Sequence, residues 1–156
     1  MPQRKQVMEQ SLSAPEPSNL SQSPTLTTLK PTELSDIWLS AKWEACSGFI
    51  QDALEHAQNS HTLDDVLRLV LVGDAQFWPA EKAALVTEII DYPQRRTLRF
   101  WLAGGELETL RDLEKDAIEW SKHWNCVASE IVGRRGWMRA LDGYEIAATV
   151  GVKHYE

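Results

Sequence analysis

Two stretches of this sequence carry residue types at spacings that could do chemistry. The first is RFWLAGGELETL, residues 99–110. It reads as a strand, a glycine pair and the start of a helix. A helix N-terminus offers free N–H groups and a partial positive charge, both suited to phosphate. Glycine lets a ligand approach the backbone closely. Leu102, Ala103, Gly104 and Gly105 would form that cradle. The residues after the glycine pair argue for a plain structural turn instead. Glu106 and Glu108 open the helix, and Asp112, Glu114 and Asp116 continue it. Carboxylates there already complement the helix dipole. They also repel a polyanion, at a cost on the order of 1 kcal/mol per close pair in partly solvated surroundings.

The second stretch is GRRGWMRAL, residues 133–141. Arg134, Arg135 and Arg139 form the strongest basic cluster in the folded part, with Trp137 among them. Arg139 lies four residues after Arg135, so the two share a helix face. The cluster suits an anion or an acidic partner; the plain alternative pairs these arginines with the acidic helix before them. Acid–base candidates are scattered. Glu88 falls in a strand, Tyr92 starts a turn, and Tyr144 starts the last predicted strand. A glutamate can activate water or an amine, and a tyrosine can protonate a leaving group. Nothing in the spacing brings them together, and a strand carboxylate more often faces solvent. His56, His61, His123 and His154 show no metal-ligand pattern, so no metal is expected.

The elements that must position these residues are read from periodicity. Residues 1–30 are rich in Ser, Pro and Thr, with isolated leucines and no period, and are expected to form a disordered or extended arm that a partner could order. Residues 31–156 form one domain. Apolar residues from Ile37 to Leu54 predict a helix near 33–57, which Gly48 should bend or break. Thr62 predicts the N-cap of a second helix, Asp64 and Asp65 suit its first turn, and Gly73 closes it. Strands are expected near 76–78, 83–90 and 97–103. In the last of these, Leu98, Phe100 and Leu102 should share one face, with Arg99 and Trp101 on the other. An amphipathic helix comes next, with Leu107, Leu110, Leu113, Ala117, Trp120 and Trp124 as its stripe. VASEIV predicts a strand and GRRGWMRAL a short helix. A final strand is expected with Ile146, Ala148, Val150 and Val152 on one side. The order is ααβββαβαβ, a mixed α/β domain of the α+β kind.

Composition limits the function. The chain has 156 residues and a net charge of −7. A broad nucleic-acid surface is thereby disfavoured, leaving at most a local contact through GRRGW with Trp137 stacking. Seven tryptophans suit core packing, with Trp101 and Trp137 as candidates for a protein interface. Cys46 and Cys126 match no paired motif and read as two buried thiols. No run is apolar and long enough to span a bilayer. Arg4 and Lys5 precede no apolar run, so no secretory signal is expected.

The order of elements resembles the GCN5-related N-acetyltransferase (GNAT) fold, a mixed, mostly antiparallel sheet flanked by helices. VASEIVGRRGWMRALDGYEIAATVGVKHY is similar to the end of such domains, including the pair Gly143-Tyr144. HTLDDVLRLVLVGDAQFWP, FWLAGGELETL and NCVASEIVGRRGWMRAL resemble short GNAT-like proteins of tailed bacteriophages and prophages. In catalytic members an R/Q-x-x-G-x-G/A turn holds the pyrophosphate of coenzyme A. Here Gly104 and Gly105 stand in place, but no Arg or Gln stands three residues before either. The resemblance therefore implies a scaffold without a cofactor, acting on other phage proteins or a host protein, in the host cytoplasm or the virion, with homo-oligomers open. The alternative it implies is an active N-acetyltransferase. Acetyl-CoA would then lie against Leu102, Ala103, Gly104 and Gly105, with Glu88 or Tyr144 as catalytic residues.

Overall fold

The computed structural model describes residues 31–156, with side chains from Ser35 onward. The expected arm over residues 1–30 lies outside the described residues. Helix α1, Pro31–His56, buries Trp38, Cys46, Ile50 and Leu54. It runs unbroken through Gly48. A Cβ there would meet nothing within 4 Å, so this glycine costs only its helix propensity, about 1 kcal/mol. Helix α2, Leu63–Val72, begins at Thr62 and ends at Gly73. The Thr62 hydroxyl accepts from the Asp65 N–H at 3.2 Å, and the Asp65 carboxylate accepts from the Thr62 N–H at 2.9 Å. This reciprocal pair is a capping box. Gly73 closes the helix in the left-handed region, at φ 86°.

The sheet has four strands in the order β1-β2-β3-β4. These are β1, Gln76–Pro79; β2, Ala83–Tyr92; β3, Arg95–Gly105; and β4, Ala128–Ile131. The first three pair antiparallel, and β4 pairs parallel to β3. A parallel neighbour needs a crossover. Helix α3, Leu107–Lys122, supplies it. Helix α4, Arg135–Ala140, comes after β4. The result is the expected mixed, mostly antiparallel sheet flanked by helices.

Two cores form, one on each face of the sheet. Helices α1 and α2 cover one face with Ile50, Leu54, Val66 and Val70 against Phe77, Ala84 and Val86. Helix α3 covers the other with Leu110 and Ala117 against Leu85, Ile89, Leu98 and Phe100. Strand β2 is buried on both sides over most of its length, so its inner part is apolar at nearly every position rather than alternating. Cys46 and Cys126 are buried free thiols in opposite cores.

Two expectations need correction. The first concerns β3. Val86 pairs with Leu102 and Thr87 with Phe100, so Trp101 is an extra residue. Such a bulge resets the side-chain alternation. Leu98 and Phe100 pack under α3, but Leu102 joins Trp101 in the α1–α2 core. The second concerns the final strand. From Tyr144 to Glu156 no strand forms, and Ile146, Val150 and Val152 are 60%, 78% and 53% exposed. The alternation is present, but a strand needs a neighbouring edge, and this segment pairs with none in its own described chain.

This packing sets two measurable outcomes. A Cβ at Gly104 would meet the Phe49 carbonyl oxygen and the backbone behind it. Gly104→Ala should therefore destabilise the domain by about 1–3 kcal/mol in urea unfolding. The backbone and hydroxyl bonds from Thr62 hold the Asp65 carboxyl below its ordinary value. The stability this contributes is present above the ordinary carboxylate range and is lost as pH falls through the folded-state value. The stability difference between the native chain and Asp65→Asn should thus shrink when unfolding is followed from neutral to acidic pH.

Candidate functional site

The junction of β3 and α3 explains its own glycines. Gly104 lets the sheet touch the α1 backbone at Phe49. Gly105 has φ +108°, and a Cβ there would strike the Lys82 carbonyl and lie 2.5 Å from the Ala83 Cα. The Glu106 N–H donates to the Lys82 carbonyl at 2.9 Å. Neighbouring backbone thus packs closely at both glycine positions, in keeping with the structural turn that the sequence favours over a phosphate cradle. Glu106 and Glu108 point to solvent. Glu106 pairs with Lys82 at 3.7 Å and Glu108 with Arg111 at 2.6 Å.

Past Phe100, β3 runs on to Gly105 with β2 as its only strand neighbour among the described residues, because β4 ends at Ile131. The parting strands leave an apolar cleft lined by Leu85, Phe100, Ala103, Leu110, Trp137 and Leu141. Glu114 is its one charged lining residue. Its interior holds about 40 Å³. Trp137 and Leu141 close it from the side of α4. Arg111 ties that helix down, since its Nε and Nη2 donate to the Ala140 carbonyl at 3.2 and 3.0 Å.

Tyr144 sits on this side of the sheet. Its hydroxyl and that of Ser129 are 3.0 Å apart. Burial, with the Glu114 carboxylate adding to it, pushes the phenol well above its ordinary value, against the opposing bond from Ser129. A phenol so hard to ionise is a poor proton donor to a leaving group near neutral pH. It serves better as a fixed hydrogen-bond partner for β4.

Glu88 lies on the opposite face. Its carboxylate is 3.7 Å from Arg99 Nη1. Arg99 Nε also donates to Glu130 at 2.7 Å, and the Tyr92 hydroxyl donates to the same carboxylate at 3.1 Å. Glu88, Tyr92, Arg99 and Glu130 therefore form one polar network across β2, β3 and β4. Partial burial is the largest influence on Arg99 and lowers its value, but contact with the two carboxylates and Tyr92 outweighs it and raises the value. Two of the acid–base candidates, Glu88 and Tyr92, do meet, through an arginine that spacing does not suggest. Glu88 and Tyr144 do not meet, because the sheet stands between them.

The basic stretch divides. Arg134, Arg135 and Arg139 are exposed, and no ion pair among the described residues engages them. Trp137 instead is partly buried and packs against the α3 core. The acidic helix is joined to α4 by Arg111 rather than by these arginines. Trp101 packs edge-on against His61, with centroids 4.8 Å apart. No helix among the described residues is long and apolar enough to cross a membrane.

The site and fold together define a mixed α+β domain with a two-faced sheet and a plugged cleft where β3 and β4 part. No family model matches the chain, and no curated protein does. Among solved structures, TTHA1254 from Thermus thermophilus is similar at a TM-score of 0.44 and 12% identity, over 60% of this chain and 79% of that one. A point mutant of the same protein gives 0.46 and 10%, over 62% and 81%. At TM-scores below 0.5 neither likeness bears on fold or activity here.

Removing the centre of the polar network takes the Arg99 guanidinium from between Glu88 of β2 and Glu130 of β4. Arg99→Ala should cost about 1–2 kcal/mol in urea unfolding, allowing for partial solvation of the pairs.

Proposed function

We propose that this chain is a GNAT-like scaffold, encoded by a tailed phage or prophage, that works through protein contacts and does not turn over acetyl-CoA. The plugged cleft carries this reading. With Trp137 and Leu141 seated against it, the cleft beside Ala103 and Leu110 keeps only about 40 Å³ of interior space, which disfavours a coenzyme arm there. Close backbone packing at Gly104 and Gly105 and the acidic helix start support it. The phage setting rests on the resemblance of the quoted stretches alone. On this reading the partners are phage structural or assembly proteins or a host protein. The location is then the host cytoplasm or the virion, and mass spectrometry of purified particles distinguishes the two.

One observation favours a second reading, an active N-acetyltransferase. Strand β3 continues beyond β4 from Trp101 to Gly105, and acetyl-CoA would lie against that open stretch. Calorimetry with acetyl-CoA separates the readings. The scaffold reading expects no binding tighter than ~10 μM, an ordinary affinity for a coenzyme site. Tighter binding overturns it in favour of the enzyme.

A further inference from the structure

The segment after Tyr144 is the least explained part of the described chain. Residues 146–152, IAATVGV, alternate in apolar size, carry no charge and contain no proline. A stretch of this composition left in solvent is a template for strand pairing. Ile146, Val150, Val152 and Tyr155 are all exposed. Close by lies an edge with the complementary need. Strand β4 pairs with β3 on one side, and among the described residues no strand lies on its other side. Its flanks are apolar and open, with Val127 75% and Val132 49% exposed. The chain leaves directly from this edge, because the Tyr144 hydroxyl is bonded to Ser129 of β4.

From these observations we infer that residues 145–155 of one copy add as a strand to the free edge of β4 in a second copy, reciprocally, about a two-fold axis. Both halves of the contact lie on the same chain. A two-fold exchange therefore covers both at once, whereas a different partner would cover one and leave the other open. Residues 145–155 extend to roughly 36 Å at about 3.3 Å per residue, ample to cross between neighbouring domains. The charges do not oppose the meeting. Glu130 of β4 is already held by Arg99. Glu145 and Glu156 flank the segment, and the exposed Arg134 and Arg135 stand just after β4. The contact does not depend on whether a coenzyme binds.

The test is sedimentation velocity of the full chain from about 1 to about 100 μM, a range that brackets a micromolar dimer. It is paired with hydrogen exchange across the same range. The expected result is a monomer–dimer equilibrium. Amides of residues 146–152 and of β4 should exchange about tenfold more slowly in the dimer. Val150→Asp, at a residue 78% exposed, should abolish both effects without altering the far-ultraviolet circular dichroism of the domain. Three results would overturn the proposal. One is a monomer throughout with an unprotected segment. Another is protection independent of concentration, which would mean that the chain, its first 30 residues included, covers the edge itself. The third is a dimer that survives Val150→Asp.

Discussion

The bulge at Trp101 is the constraint on which the rest of this structure depends. One extra residue in β3 turns Trp101 and Leu102 toward the same core. Before the bulge, Leu98 and Phe100 serve the α3 core; after it, Ala103 does. A small residue then lines the place where β3 leaves β4. Trp137 and Leu141 fill that space from α4. The cleft and its plug thus have one origin, a local change of register in the longest strand. Gly104 and Gly105 belong to the same event, because they let the end of β3 press against α1 and the start of β2.

The sheet also fixes which charges can cooperate. Arg99 gathers Glu88 and Glu130 on one face, while Glu114 and Tyr144 sit on the other. The first group is an ion-pair network that ties three strands together, including the short parallel one. The second holds β4 to the chain beyond α4. Each group joins elements distant in sequence. The exposed arginines of α4 are different, because no described carboxylate engages them.

Local signals are legible in the sequence. Thr62, Asp65 and Gly73 mark α2 because caps act within one turn. The stripe from Leu110 to Trp120 marks α3 because helical periodicity survives in the residues themselves. Three features are not legible, for physical reasons. A bulge breaks the period of two without leaving a proline or glycine at Trp101. The Arg99–Glu130 pair spans 31 residues, and only the parallel pairing of β3 and β4 brings it together. The alternation after Tyr144 marks strand propensity correctly, but propensity does not supply a neighbouring edge. The same holds for the glycine pair. Its types identify a close approach, yet only the structure shows that the backbone of α1 and β2 comes close there.

Trp137 packs against the α3 core and lines the cleft, and the reading of that cleft as closed from α4 turns on its position. The most direct measurement is the indole N–H spectrum of the seven tryptophans during titration with coenzyme A. The Trp137 signal, assigned by Trp137→Phe, should stay fixed up to about 1 mM ligand, a concentration at which even weak sites fill. A saturable shift of that signal, showing a ligand entering beside α4, would contradict the closure.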